Sequence, residues 1–198
     1  MITQIKKFYY DSIDSTNEES KRLIDSEKIK GISVIVADEQ TKGKGTRGRT
    51  WISPKDAGIY LSIVHVNLKH CPEIELCTKS AAVACVEAIK EVCGVETKIK
   101  PINDIYAEGR KLGGILIETR LNKNEINALI TGIGINTLVA RRGAIDHALS
   151  IEELMKENFK NFSKEKLIEK IIEKVCFWHN ALFNGKSNEI QSKYESLI

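Results

Sequence analysis

Apolar positions along the chain fall into two rhythms, and they place most of the elements. Residues 4–10 alternate weakly and predict a strand. A helix opens at Asp14-Ser15-Thr16-Asn17-Glu18, with Ser15 and Glu18 spaced as a capping box, and runs to about Glu27. Ile32 to Ala37 is a β-branched run that predicts a buried strand, and Gly58 to Val66 predicts the next. Glu73 to Val92 carries Ile74, Cys77, Ala81, Ala84, Ala88 and Val92 at helical spacing, and Gly94 can end that helix. Val95 to Lys100 reads as a short strand. Leu112–Thr119 and Ile126–Ile135 read as a hairpin joined by the polar turn Asn122-Lys123-Asn124. From Ser150 onward the pattern is helical and amphipathic. Ser163 starts a long helix reaching Phe183, Asn184-Gly185 ends it, and a last helix covers Ser187 to Ser196. The expected fold class is α/β (α+β): a mixed sheet flanked by helices, in one domain over residues 1–198.

Composition narrows this picture only a little. A net charge of +3 is too weak a balance to argue for a nucleic-acid-binding face, and no DNA partner is expected. No apolar run approaches the roughly 18 residues of a membrane span, and the N-terminus has no signal-like apolar core, so no membrane partner is expected. Five cysteines with no CxxC pair predict reduced, mostly buried thiols in a cytoplasmic protein. His65, His70, His147 and His179 are scattered, without metal-ligand spacing, and no nucleophile elbow supports a Ser-His-Asp triad.

The chemistry concentrates in three segments. Gln40 to Trp51 holds three glycines and four cations in twelve residues, with no acid. Glycine lets backbone N–H groups approach a ligand, and Lys42, Lys44, Arg47 and Arg49 supply charge for an anion. Gly43-Lys-Gly45-Thr-Arg-Gly48 matches G-x-G-x-x-G, but Arg-Thr-Trp-Ile-Ser-Pro follows and does not begin a helix. No helix dipole would then lie under a pyrophosphate, and a phosphate-binding Walker loop fails as well. The bland alternative is a solvated basic loop. In the second segment, Lys100-Pro-Ile-Asn103-Asp104 precedes Lys111-Leu-Gly-Gly-Ile-Leu116. Lys111 beside two glycines could meet a carboxylate or phosphate, or simply guard a strand edge. Asn103-Asp104 alone reads as a turn. The third segment, Thr131-Gly132-Ile-Gly134-Ile-Asn136, leaves one face of a strand bare, open to another backbone, a flat ligand or tight packing. Asp14 to Asn17 could be only a helix cap, or could bind a polar ligand head.

Taken in order, these segments resemble the catalytic domain of the biotin protein ligases. The matching stretches are Asp14 to Asn17, Gln40 with Gly43 to Trp51, Lys100 to Asp104, Lys111 to Leu116 and Gly132 to Asn136. The resemblance implies a biotin/lipoate-ligase-like (class II synthetase-like) fold. It also implies an enzyme that joins biotin to ATP, giving biotinyl-5′-adenylate and pyrophosphate, and then passes biotin to a lysine of a biotin carboxyl carrier protein. On this likeness Ser15, Thr16, Asn17, Gln40, Lys44, Gly45, Thr46 and Lys111 bind biotin. Gly43, Arg47, Gly48, Arg49, Trp51, Lys100, Asn103, Asp104 and Asn136 handle the nucleotide. Lys111, Arg47 and Lys100 are the expected catalytic cations, which would offset the repulsion between two anionic reactants. Mg²⁺ is implied with ATP. The sequence carries no metal signature of its own, and Asp104 is the one candidate to help hold the ion. A homodimer is compatible with the likeness.

The departures from the family pattern carry expectations too. Lys44 and Thr46 stand where the family has arginines. Lysine keeps the charge without the bidentate fork, and Thr46 loses the charge, so weaker closure over the adenylate is expected. Lys100-Pro-Ile replaces Lys-Trp-Pro and reshapes the wall beside the nucleotide. No DNA-binding module is expected before Asp14. The family's small C-terminal β-domain is expected to be absent, since it would begin near Ile198. A lipoate- or octanoate-handling relative and a non-catalytic biotin or adenylate binder are the alternatives.

Overall fold

The structure, a computed structural model, describes residues 5–68, 71–123, 125–138 and 148–198. Gln4, His70, Asn124 and His147, which figure in the expectations above, lie outside the described residues. The strands are β1 (Lys6–Tyr10), β2 (Ile32–Ala37), β3 (Gly58–Val66), β4 (Lys98–Lys100), β5 (Asp104–Ala107), β6 (Arg110–Asn122) and β7 (Glu125–Asn136). The helices are α1 (Thr16–Asp25), α2 (Ile74–Cys93), α3 (Ile151–Met155), α4 (Lys164–Phe183) and α5 (Ser187–Glu195). Among the described residues the strands make a seven-stranded sheet in the order β1-β2-β3-β7-β6-β5-β4, the mixed sheet with helices that the pattern predicts. The chain divides into two units, residues 1–71 with 116–134 and residues 72–115 with 135–198.

In the first unit β1 and β2 pair in parallel, with α1 as the crossover, and β2 pairs antiparallel with β3. The β-branched run of β2 is buried because both of its neighbours are strands and α1 covers one face. Leu23 of α1 packs with Ile29, Ile35, Val64 and Ile130, and Phe8, Tyr10 and Ile13 close the rim of this core.

In the second unit α2 packs along α4, and α5 lies against both. Ala81, Ala84, Cys85 and Ala88 of α2 and Leu167, Ile171, Val175 and Trp178 of α4 are buried. Trp178 satisfies its indole N–H by donating to Glu87 at 3.0 Å. Cys77, Cys85 and Cys93 are buried thiols of α2, and burial pushes Cys85 up to about 12. The edge strand β4 is covered by the chain's own C-terminal segment, where Ile99 N–H donates to the Leu197 carbonyl at 2.7 Å. No helix among the described residues is long and apolar enough to cross a membrane.

Four expectations change. Ser15 sits at the N-cap of α1 but makes no side-chain cap bond, so the Ser15–Glu18 capping box does not form. Glu18 instead bonds two lysines, a stronger attraction than one backbone N–H. A capping box does form at Ser150 and Glu153, where none was expected, and starts α3. Of Asn103-Asp104 only Asn103 lies in a turn, because Asp104 opens β5, whose alternation spans only four residues between Pro101 and Gly109. Finally, β4 is shorter than expected and β6 longer, which places Lys111 within a strand and not at its edge.

Candidate functional site

The predicted site residues form two groups, one in each unit. In the first unit, residues 40–53 form a narrow hairpin. Gln40 N–H donates to Ser53 O at 3.1 Å, Trp51 N–H to Gly43 O at 3.0 Å and Gly45 N–H to Arg49 O at 2.7 Å. A short 3₁₀ turn over Thr46–Gly48 makes the tip, with Arg47 and Gly48 both in the left-handed region (φ 57° and 74°). Glycine tolerates that backbone freely, whereas Arg47 holds it under local strain. The base is stitched to the segment before α1 through Thr41 N–H to Ile13 O and Lys42 N–H to Asp14 O, both 2.8 Å. These backbone bonds give the loop its hairpin shape.

Thr46 and Arg49 bond to one another at the tip, with the guanidinium donating to Thr46 Oγ1 at 3.2 Å. Arg47 is exposed. The two alternate glycines of β7 meet protein groups on their bare side. A Cβ on Gly132 would stand 2.5 Å from Asn17 Oδ1, and one on Gly134 would stand 2.5 Å from the Trp51 indole. The flat group on the bare strand face is therefore the chain's own Trp51.

Beneath the hairpin lies a polar cluster on the first turn of α1. Gln40 Oε1 accepts from Thr16 N–H at 2.8 Å and lies 3.2 Å from Thr16 Oγ1, while its Nε2 donates to Ser53 Oγ at 2.9 Å. Ser62 Oγ lies 2.8 Å from Thr16 Oγ1 and 2.6 Å from Asn17 Oδ1. Asn17 Nδ2 donates to Glu118 Oε2 at 2.8 Å. Lys21 then joins Glu118 (2.6 Å) to Glu18 (2.7 Å), and Glu18 reaches Lys44 of the hairpin at 2.6 Å. Lys21 and Lys44 hold the Glu18 carboxyl below its ordinary range. Burial works against the Lys21 charge, but the bonds to Glu118 and Glu18 outweigh it and raise its pKa. Arg22 draws Asp14 down to about 2. Ser15, Thr16 and Asn17 are all buried, and the Asn17 amide is engaged at both ends. Ser53, Ser62, Glu118 and Lys21 are members of this cluster that the sequence reading missed. The available signal was a hydroxyl and a carboxylate inside the apolar runs of β3 and β6.

The second unit gathers Lys100, Asn103, Asp104, Lys111 and Asn136. Lys111 pairs with Tyr106 across the β5–β6 ladder, next to a register shift between Ile105 and Tyr106. Its ammonium bonds Asp104 at 2.6 Å. Asn103 ties itself to Ile115 twice, accepting from its N–H at 2.8 Å and donating to its carbonyl at 3.0 Å. Asn136 Nδ2 donates to Leu149 O at 3.1 Å. Lys100 Nζ lies 4.9 Å from the centre of the Tyr106 ring, a cation–π contact. The Asp104 carboxylate thus spends its charge on Lys111. Among the described residues no cluster of three or more His, Cys, Asp or Glu could hold a metal.

Comparison with known proteins gives a consistent result. Residues 9–136 match the biotin/lipoate A/B protein ligase family. The chain is 36% identical over 131 residues to the bifunctional ligase/repressor BirA of Bacillus subtilis, covering 65% of this chain and 39% of that protein. It is 32% identical over 127 residues to a biotin–[acetyl-CoA-carboxylase] ligase of Paracoccus denitrificans, covering 62% of this chain and 51% of the relative. It thus spans well under two thirds of these relatives' length. Among solved structures, the biotin protein ligase of Aquifex aeolicus in complex with biotin and ATP superposes with a TM-score of 0.83 at 26% identity, over 98% of this chain and 78% of that one.

Proposed function

The chain belongs to the biotin/lipoate A/B protein ligase family, and from that premise we propose that it is an ATP-dependent biotin protein ligase. In the first step the biotin carboxylate attacks the α-phosphorus of ATP, forming biotinyl-5′-adenylate and releasing pyrophosphate. In the second a lysine amine of a biotin carboxyl carrier protein attacks the acyl carbon, forming an amide and releasing AMP. Supporting this reading, the motif segments form ordered, internally bonded structures in a chain that follows, over 98% of its length, the fold of a ligase solved with biotin and ATP.

The first step brings two anions together, so fixed cations and N–H donors lower its barrier. Lys111, steadied by Asp104, takes the carboxylate and α-phosphate region. Lys100 and Arg47 supply further positive charge to the phosphates. Thr16, Gln40 and the hairpin residues Lys44, Gly45 and Thr46 take biotin, with Ser15 and Asn17 shaping the floor beneath. Gly43, Gly48, Arg49, Trp51, Asn103 and Asn136 serve the nucleotide side. Mg²⁺ arrives with ATP as part of the substrate, and Asp104 is the carboxylate placed to help hold it. The reaction is placed in the cytoplasm, where buried, reduced cysteines are at home.

Pyrophosphate exchange into ATP, run with biotin, lipoate and octanoate in turn, tests the reading. Biotin-dependent exchange is expected. Exchange with lipoate or octanoate alone would move the chain to the other branch of its family. Tight biotin binding without exchange would make it a binder.

A further inference from the structure

Glu118 lies outside every segment that the likeness marks, yet it bonds both Asn17 (2.8 Å) and Lys21 (2.6 Å) in the polar cluster. We propose that Glu118 is a positioning residue: it fixes which way the Asn17 amide faces, and thereby the direction of the hydrogen-bond chain from Asn17 through Ser62 and Thr16 to Gln40. The activity part of this inference rests on the ligase reading above.

A carboxylate only accepts. Glu118 Oε2, 2.8 Å from Asn17, therefore compels the Nδ2 end of that amide to face it and turns Oδ1 toward Ser62 at 2.6 Å. A serine hydroxyl has one proton. Once it is given to Asn17, Ser62 can only accept from Thr16 Oγ1, 2.8 Å away. Thr16 is left as a donor, to Ser62 or to Gln40 Oε1, so a ligand group that meets its oxygen must itself donate. Lys21 holds the other Glu118 oxygen at 2.6 Å, and the bare strand at Gly132 makes room for the Asn17 amide in this pose.

Glu118→Gln reverses the chain without changing its shape. Lys21 donates only, so it claims the new amide's oxygen and leaves the NH₂ facing Asn17. Asn17 then flips to offer Oδ1, Ser62 must accept from Nδ2, and its proton is thrown toward Thr16. Exchanging the two groups, Asn17→Asp with Glu118→Gln, restores the donor and acceptor pattern from position 118 to Ser62 and gives up only the long 3.5 Å bond from Asn17 Nδ2 to the Leu116 carbonyl, because the carboxylate placed on α1 accepts both from Ser62 and from the new amide on β6.

The test measures biotin and ATP KM in pyrophosphate exchange for wild type, Glu118→Gln and the double substitution. It also records the side-chain amide signals of Asn17 in ¹⁵N-labelled wild type and Glu118→Gln without ligand. Glu118→Gln is expected to raise the biotin KM about tenfold, with the ATP KM within about twofold, and the double substitution to recover most of that loss. An unchanged biotin KM, an equal rise in both KM values, or a double substitution no better than the single one overturns the proposal. If wild type shows no biotin-dependent exchange, the ligase reading fails and the Asn17 signals decide. A marked shift in Glu118→Gln upholds the positioning role, and superimposable signals overturn it.

Discussion

Single residues at the site act mainly through what they exclude. Gly134 is needed because the Trp51 indole occupies the space a Cβ would take, at 2.5 Å. Gly134→Ala is expected to displace Trp51 and destabilise the fold by about 1–3 kcal/mol, as overpacking does. Urea unfolding with Trp fluorescence checks this, with Trp51→Phe as the reference that should relieve the clash; an unshifted midpoint would refute it. Thr46 tests the opposite case, a missing group. It bonds Arg49 at a position where the resembled family pattern has arginine, so Thr46→Arg is expected to slow escape of the adenylate from the enzyme. Equal retention in both proteins would remove that explanation. The alternating glycines were legible in the sequence as a bare strand face. What covers the face was not, because Trp51 lies far from Gly134 along the chain and only the hairpin's return brings it there.

Among the elements, the hairpin over residues 40–53 is held by its own backbone bonds, by bonds from its base to Ile13, Asp14 and Thr16, and by a charged tether, Lys44 to Glu18. Lys44 is about half exposed, so the pair is worth only about 0.2–1 kcal/mol and weakens with salt. Glu18→Gln is expected to speed tryptic cleavage within the hairpin about two- to fivefold at low salt, with the difference fading as salt is added. Equal cleavage rates would show that the backbone bonds suffice. At α3, Ser150→Ala removes a formed capping box and is expected to cost about 1 kcal/mol of stability. Capping shows the limit of local reading. Ser15 with Glu18 and Ser150 with Glu153 have the same spacing, but Lys21 and Lys44 compete for Glu18, and Lys44 is distant in sequence. Strand β5 escaped notice because four alternating residues hemmed in by Pro101 and Gly109 carry too little pattern.

Over the whole molecule, stability should fall as acid is added, in two separable windows. Burial lowers His65 from 6.5 to about 4, so the unfolded chain takes up its proton first. The stability this neutral histidine preserves is complete above pH 6.5 and is lost progressively toward pH 4. The loss is on the order of 3 kcal/mol. Asp14, held down to about 2 by Arg22, loses its contribution only below its ordinary 3.8. Urea unfolding across pH 4–7 is expected to show the first slope in wild type. A flatter one is expected in His65→Phe, and equal slopes would exclude His65 as the cause. The sequence by itself determined the sheet-and-helix class, most element bounds and the motif residues, because periodicity, glycine placement and charge are local properties of the chain. The tertiary structure alone decided that Glu118, Ser62 and Lys21 complete the polar cluster, that Asp104 serves Lys111, and that Trp51 fills the glycine face. All but the Asp104–Lys111 pair join segments distant along the chain, and that pair too needs β5 and β6 paired; hydrogen-bond donors, acceptors and volumes find their partners only once strands are in register.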